Sequence, residues 1–295
     1  YCNNEGPVDY FGIDSNTADK KIAIVEVHGV IMRPTTESAL NQIQKAQDDP
    51  DVIGVLLSVD SPGGTVADSH EIYHRLADLR KEKPIVVQMK SMAASGGLYI
   101  AMGAGEEGKI FAEPTTWTGS IGVIIPRMEM LGLADKIGVE SKPIKTGPFK
   151  DALSPFRTLD EKEKAVWDNI IDQAFNRFVG VIAENRADLD TAAVRKLATG
   201  EVYTADDALN NKLIDRIGYR EDALADLLAR VDREEGEVRV VSYESPTTLI
   251  DIVLGSARAQ QPEQQWQLAI ESTVPRPMYC CSWLAGLTSG FFRED

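Results

Sequence analysis

Apolar runs alternate with amphipathic stretches along the first third of the chain. Lys21–Ile31 is rich in β-branched residues and predicts a strand. Val52–Val59 is almost entirely apolar, which is typical of a strand buried on both faces of a parallel sheet. Ile85–Met89 predicts a third strand. Helical spacing between these runs predicts helices over Ser38–Asp48 and Val66–Lys81. This order indicates an α/β domain with right-handed crossovers.

The alternation continues with weaker signals as far as residue 231. The further strands that we predict are Lys109–Ala112, Thr118–Ile125, Glu140–Lys145 and Leu213–Ile217. The further predicted helices are Met128–Ile137, Leu159–Asn185, Thr191–Ala198, Thr204–Asn211 and Glu221–Val231. Between them, Thr146–Arg157 is broken by Gly and Pro and predicts a loop.

The two ends of the chain differ in character from its middle. We expect an N-terminal lead-in or linker over 1–20, a folded domain over 21–231, and a C-terminal appendage over 232–295. Within the appendage, Val238–Tyr243 predicts a strand and Leu249–Leu254 a short apolar helix. The appendage is interpreted as a segment that serves assembly or is partly disordered.

Composition excludes several kinds of function. A net charge of −15 argues against nucleic acid as a partner, because phosphate binding requires a basic face. The cysteines, Cys2, Cys280 and Cys281, have no metal-ligand spacing and suggest no disulfide framework. The sequence contains no run of about 18 apolar residues, so it predicts no membrane span. We expect neither a metal ion nor a cofactor.

The stretch Ser91–Gly97 reads S-M-A-A-S-G-G and joins a predicted strand to a predicted helix. A serine at such a junction presents its hydroxyl beside the free N–H groups of a helix N-terminus. That is the geometry that a nucleophile and half of an oxyanion hole require. Ser95 is therefore a candidate nucleophile. The simpler interpretation is a Ser N-cap followed by a flexible glycine pair.

A nucleophilic serine needs a base, and the histidines are poor candidates. His28, His70 and His74 all precede Ser95, and His-first triads are less favoured but not excluded. A lysine can serve instead, because burial lowers its pKa from about 10.4 by up to ~3–5 units. Lys150 lies in a Gly/Pro/aromatic loop after a predicted strand and is the lysine of interest, although most lysines are solvated surface charges.

An oxyanion hole needs two N–H donors, and two glycine-rich turns could supply them. Gly96 follows the candidate nucleophile directly, and Asp60–Gly64 follows the neighbouring predicted strand. Many βα turns carry a glycine pair, so either turn alone is weak evidence. Two such turns on neighbouring strands favour a common site, because strand ends of these sheets converge.

Four motifs occur in order along the chain: D-S-P-G-G at Asp60–Gly64, M-A-A-S-G-G at Met92–Gly97, T-G-S-I-G-V at Thr118–Val123 and K-T-G-P-F-K-D-A-L-S-P-F-R at Lys145–Arg157. Their order and spacing resemble the signal peptide peptidase A family of Ser–Lys serine peptidases. Gly200–Gly218 resembles the family's closing segment, and the resemblance covers about Lys21–Leu228.

The resemblance implies a Clp protease/crotonase-like fold of repeated β-β-α/βα units with covering helices. It also implies hydrolysis of peptide bonds by a dyad whose lysine amine is held in place by a second serine. The implied site consists of the nucleophile Ser95, the base Lys150, the positioning hydroxyl of Ser120, and an oxyanion hole from Gly96, Gly63 and Gly64.

Family members cleave remnant signal peptides at the membrane and are usually anchored by an N-terminal transmembrane helix, which this sequence does not contain. The resemblance therefore implies membrane association with the catalytic domain on the extracytoplasmic side. It also implies a ring- or dome-shaped homo-oligomer. In short, single-repeat members the serine and lysine come from neighbouring subunits, and this chain has one copy of the motifs.

Two alternatives remain open from the sequence. A crotonase-like acyl-CoA enzyme shares the fold but uses carboxylates, for which Glu106, Glu107 and Glu113 are candidates. A non-catalytic, membrane-associated scaffold is the other. For the peptidase, the small residues Ala93, Ala94 and Gly97 around the nucleophile leave room for a substrate strand, and we expect a preference for small or apolar side chains near the cut.

Overall fold

The computed structural model describes residues 8–9, 18–243 and 277–280. Its strands are β1 Val8–Asp9, β2 Lys20–His28, β3 Val52–Ser61, β4 Gly63–Thr65, β5 Ile85–Ala94, β6 Lys109–Ala112, β7 Trp117–Gly119, β8 Val202–Thr204, β9 Arg216–Ile217, β10 Val238–Ser242 and β11 Met278–Cys280. Its α-helices are α1 Arg33–Asp48, α2 Val66–Leu79, α3 Gly96–Ala101, α4 Leu131–Ile137, α5 Glu161–Asn185, α6 Thr191–Leu197, α7 Ala205–Asn210 and α8 Arg220–Arg230. Short 3₁₀ helices cover Met102–Ala104 and Pro148–Asp151.

A mostly parallel sheet forms the centre of the fold. Its main path runs β1-β10-β2-β3-β5-β6-β9, and β10 through β9 are parallel neighbours. The last three residues of β5 leave β6 and pair instead with β7, which is also parallel. Only β1 and β8 run antiparallel to their neighbours among the described strands of this sheet. The predicted α/β class with a parallel sheet is confirmed.

Both faces of the sheet are covered, which explains the nearly continuous apolar character of its central strands. Successive side chains of a strand point to opposite faces. Along β2, Ala23 and Val25 belong to the core shared with α1, α2 and α5, whereas Ile22 and Ile24 face the core that includes Leu227 of α8. The sheet is therefore fixed between two helical layers, and the ends of its strands are held in register.

Two of the strand predictions are corrected. Glu140–Lys145 is not a strand, because this exposed segment pairs with no other strand among the described residues. The strand predicted over Thr118–Ile125 is replaced by β7, which ends at Gly119. Gly119 (φ 78°) and Ser120 (φ 49°) are both in the left-handed region, and that conformation interrupts the extended chain.

The chain beyond residue 231 contributes strands to the fold. The strand predicted over Val238–Tyr243 is confirmed as β10, which pairs in parallel with β2. β11 pairs antiparallel with β4 in a separate two-stranded sheet. The domain limits at 21–231 stay a prediction, although the main sheet extends past them. The helix predicted over Leu249–Leu254 lies outside the described residues.

Helix length and hydropathy also bear on membrane insertion. In the part of the chain that the structure describes, no helix is both long enough and apolar enough to cross a bilayer.

Candidate active site

The carboxyl ends of three parallel strands meet at one edge of the sheet. Ser61 of β3 pairs with Ala93 of β5, and Ala94 pairs with Gly119 of β7. The residues that follow these strands are therefore neighbours in space. Open α/β sheets bind their ligands at this kind of edge.

Ser95 occupies a strained turn between β5 and α3. Its backbone angles are φ 54° and ψ −111°, a conformation that residues with a side chain rarely adopt. The turn is held because the Ser95 N–H donates to the Gly119 carbonyl at 2.8 Å and the Ser95 carbonyl accepts from the Tyr99 N–H at 2.9 Å. The surrounding strands thus impose the conformation.

The Ser95 hydroxyl is buried without a partner. The residue is 0% exposed, and its Oγ forms no hydrogen bond to any residue that the structure describes. Ser95 stands at the N-cap position of α3, but its side chain makes no capping bond. The simpler interpretation, a capping serine, is therefore wrong for the side chain. Buried hydroxyls are normally hydrogen-bonded, so this one is free for another role.

The two glycine turns lie against each other beside this hydroxyl. A Cβ placed on Gly96 would lie 3.1 Å from both the Gly63 Cα and the Gly64 nitrogen. A Cβ on Gly64 would overlap the Ile31 carbonyl, so the close approach requires glycine. The Gly63 N–H donates to Ser61 Oγ at 3.1 Å. The Gly63 N–H is therefore engaged here, and the oxyanion hole from Gly96, Gly63 and Gly64 stays a prediction.

Ser120 is held next to the candidate nucleophile. It follows the Gly119 carbonyl that binds the Ser95 N–H, and it is 7% exposed. Its own N–H donates to the Glu201 carbonyl at 2.6 Å, which fixes its left-handed backbone. The residue pattern alone did not single out Ser120, because T-G-S resembles an ordinary turn. The sequence signal that could have identified Ser120 is that two neighbouring strands, β5 and β7, are each followed by a serine.

Lys150 forms no hydrogen bond with Ser95 within one chain. It is exposed on the 3₁₀ turn after Gly147, and its ammonium group bonds to none of the described residues. The other lysines of this segment are engaged: Lys145 donates to Asp151 at 2.5 Å, and Lys142 is paired with Glu140. The structure does not bring Lys150 to Ser95. Among the lysines of residues 140–157, however, Lys150 is the one whose amine is not engaged by a described residue.

An ionic network fixes the loop that carries Lys150. Arg157 donates to Asp151 at 2.8 Å and to both oxygens of the buried Glu163 at 2.5 and 2.8 Å. Hydrogen bonds from Arg157 are the main cause that lowers the pKa of Asp151 and that of Glu163 to about 2. Both carboxylates therefore stay ionised at neutral pH, and the loop keeps its shape.

The histidines and the other carboxylates serve elsewhere. His28 and His74 are exposed and lie 3.6 Å from Asp60 and Asp78 respectively. His70 Nδ1 lies 2.7 Å from the Tyr99 hydroxyl, and burial lowers the pKa of His70. None of the three bonds to the nucleophile.

The acidic residues considered for an acyl-CoA enzyme are also outside the cluster. Glu106 and Glu107 are exposed. Glu113 accepts a hydrogen bond from Gln88 at 2.8 Å. No carboxylate among the described residues forms a hydrogen bond with Ser95.

Comparison with known proteins decides the family. Residues 77–233, more than half of the chain, match peptidase family S49. The chain belongs to peptidase family S49. It is 39% identical over 248 residues to a protein of Enterococcus faecium named signal peptide peptidase SppA, covering 80% of this chain and 70% of that one. It is 38% identical over 238 residues to a Synechocystis protease, slr0021, covering 80% of this chain and 83% of the relative.

A solved structure supports the same fold for this S49 peptidase. The membrane-bound stomatin-specific protease 1510-N aligns with a TM-score of 0.52 and 16% identity, over 77% of this chain and 99% of that one. At this identity the likeness concerns the fold alone, and it confirms the predicted Clp protease/crotonase-like architecture. As an S49 member the protein is a serine protease, whereas the role of each site residue stays a prediction.

The strained turn predicts an unusual order of stabilities. Ser95→Gly relieves about 1–3 kcal/mol of backbone strain in the folded state. It also costs about 0.5–1 kcal/mol of stability, because glycine loses more conformational entropy on folding. Ser95→Ala removes the same hydroxyl but keeps the strain. We therefore expect the free energy of unfolding of S95G, measured in urea titrations, to be about 1 kcal/mol larger than that of S95A. At the control position Ser91, which lies in β5 without a positive φ, the glycine variant should be the less stable one. Equal stability of S95G and S95A would contradict the strain.

The ionic network predicts acid sensitivity of the Lys150 loop. The pKa values of Asp151 and Glu163 fall from 3.8 and 4.5 to about 2 on folding. Their stabilisation is therefore complete above the unfolded values and is lost as pH falls from about 4 toward 2. In hydrogen-exchange measurements, the backbone amides of residues 145–163 should lose their protection in that pH range. Arg157→Gln should lose the same protection already at pH 7, and wild-type protection in that variant would contradict the role of the network.

Proposed function

We propose that this S49 serine protease is an endopeptidase that uses a Ser95–Lys150 dyad to cut apolar peptide segments, such as remnant signal peptides at a membrane. The observation that carries the proposal is the unpaired, buried hydroxyl of Ser95 on a strained turn between two glycine turns. Such a hydroxyl has no structural partner, and the fold maintains it at the expense of backbone strain.

The reaction follows the order of any serine acyl transfer. Neutral Lys150 accepts the Ser95 proton as Oγ attacks the scissile carbonyl carbon, while the Ser120 hydroxyl orients the lysine amine. The N–H groups of Gly96 and of the Gly63–Gly64 turn stabilise the oxyanion. Lys150 then protonates the leaving amine, and a water activated by the same lysine hydrolyses the acyl-enzyme.

The lysine must come from a second copy of the chain. A lysine acts as a base near neutral pH when burial lowers its pKa, and Lys150 is exposed in the single chain. The segment that carries it exposes an unusual set of large apolar side chains: Met128, Leu133, Ile137, Val139, Ile144, Phe149 and Phe156. Exposed apolar clusters of this kind mark interaction surfaces. A homo-oligomer, in the form of a ring or dome, would bury this segment and deliver Lys150 to a neighbouring Ser95.

The substrate class and location rest on relatives. One relative is named a signal peptide peptidase and one structural neighbour is described as membrane-bound. We place the protein at a membrane, with its catalytic domain on the extracytoplasmic side. The acidic charge of the chain fits a peptide partner and not nucleic acid.

Complementation between two inactive variants tests the shared site. Ser95→Ala and Lys150→Ala should each abolish cleavage of an apolar fluorogenic peptide, whereas Lys142→Ala should retain it. In a closed oligomer of co-expressed S95A and K150A chains, half of the serines and half of the lysines are intact. Roughly a quarter of the shared active sites should therefore hold both groups, and activity should return to about that fraction of the wild-type value.

Two outcomes would contradict this account. Full activity of K150A would remove Lys150 as the base. Inactive mixtures, despite co-assembly verified by affinity tags, would show that the dyad is not completed between subunits.

A further inference from the structure

A second buried hydroxyl without a partner lies beside the proposed oxyanion hole. Of the side-chain hydroxyls that the structure describes, those of Ser69 and Ser95 are buried and form no hydrogen bond. Ser69 lies in α2, one turn after its N-cap residue Thr65, and is 0% exposed. A serine within a helix often bonds to the carbonyl one turn earlier, but the Ser69 hydroxyl does not. Its hydrogen-bonding capacity is therefore unused inside the fold.

The Ser69 oxygen lies against the backbone of Gly96. A Cβ placed on Gly96 would lie 2.6 Å from Ser69 Oγ, and 3.1 Å from both the Gly63 Cα and the Gly64 nitrogen. The space beside the Gly96 Cα is therefore enclosed by the Ser69 hydroxyl together with the Gly63–Gly64 turn. Gly96 is a proposed N–H donor to the oxyanion, so Ser69 contacts a donor residue directly.

This contact belongs to the close packing of two helices that begin at the two glycine turns. α2 follows β4 directly, and α3 begins at Gly96. Seven residues further along each segment, a Cβ placed on Gly103 would lie 2.7 Å from Leu76 Cβ. Positions seven apart lie on the same face of a helix, so Ser69 and Leu76 form one line of contact along α2. The spacing of the two helices along this line sets how closely the two turns approach each other.

Close packing alone does not require a hydroxyl at this position. Alanine would fit the same contact and would favour the helix more than serine does. It would also avoid a buried polar atom without a partner, which is costly. Buried hydroxyls of this kind are rare in folded proteins and call for an explanation. The other one among the described residues belongs to Ser95, the proposed nucleophile, which suggests a role in the same reaction.

We propose that Ser69 is a positioning residue of the oxyanion hole. Its hydroxyl packs against Gly96 and keeps the Gly96 N–H directed at the carbonyl oxygen of the bound peptide. Its O–H dipole has no other partner, so it is free to turn as negative charge develops on that oxygen, in a buried site where dipoles act strongly. Both effects act in the transition state, so Ser69 raises kcat and leaves substrate binding unchanged. The inference rests on the proposed function.

Kinetics and stability of the full-length Ser69→Ala variant test the proposal together. We expect kcat for an apolar fluorogenic peptide to fall about 10–100-fold, because the Gly96 donor is kept but is poorly directed. KM should stay within about twofold of the wild-type value. The urea midpoint of S69A should equal or exceed that of the wild type, because the unpaired hydroxyl has been removed.

Ser58→Ala is the matched control. Ser58 is also a buried serine, but its hydroxyl donates to Gln88 at 3.3 Å and accepts from Arg220 of α8 at 3.3 Å. S58A should therefore show the opposite pattern, with a lower urea midpoint and a wild-type kcat.

A double-mutant cycle tests the contact itself. Gly96→Ala adds a methyl group that meets Ser69 Oγ. It should lower the urea midpoint less in an S69A background than in the wild-type background, because residues in contact are not additive. Equal losses in the two backgrounds would contradict the contact.

The outcomes for this inference and for the proposed function can be told apart. If S69A retains the wild-type kcat in a reaction that still requires Ser95, the inference is wrong and the proposed function stands. A fall in kcat together with a lower urea midpoint would indicate a merely structural role and would also overturn the inference. If the wild type shows no Ser95-dependent cleavage of any apolar peptide, the proposed function fails as well.

Discussion

The hydrogen bond from the Ser95 N–H to the Gly119 carbonyl is the interaction on which the site depends. It joins the end of β5 to the end of β7 and sets Ser95 beside Ser120. The same strand β5 pairs with β3 on its other side, which brings the Gly63–Gly64 turn against Gly96. Three parallel strand ends thus hold a conformation that Ser95 would not adopt alone. The two helical layers that bury both faces of the sheet keep those ends in register.

The proposed site is built in two parts of different character. The part made by strand ends is buried and rigid, and it holds the serines and glycines. The part that holds Lys150 is an exposed segment, which is fixed by the contacts of Arg157 with Asp151 and Glu163 and by the bond from Lys145 to Asp151. The exposed apolar side chains of that segment leave its interaction surface unsatisfied within one chain. Under the proposed function, a serine protease arranged in this way would gain its base only on assembly, and cleavage would be limited to the assembled form.

Much of this could be predicted from the sequence, because the deciding signals are local. The apolar runs of β2, β3 and β5 lie in one buried sheet, and the serine between β5 and α3 adjoins the helix N-terminus as expected. The positive φ of Ser120 could not be predicted from the sequence, because its cause is the pairing of β7 with β8 about 80 residues downstream. Nor was β11: three residues without alternation carry no strand signal, and their partner is a glycine turn. Glu140–Lys145 has a strand-like composition but no partner strand in the part of the chain that the structure describes, and pairing decides whether a strand forms.

The most direct test of the account is a structure of the assembled protein in which the distance from Lys150 Nζ to Ser95 Oγ is measured across the subunit boundary. The account predicts that the amine of one subunit lies about 2.6–3.2 Å from the hydroxyl of its neighbour, with Ser120 alongside. A Lys150 amine that stays in solvent in the assembled protein would contradict it.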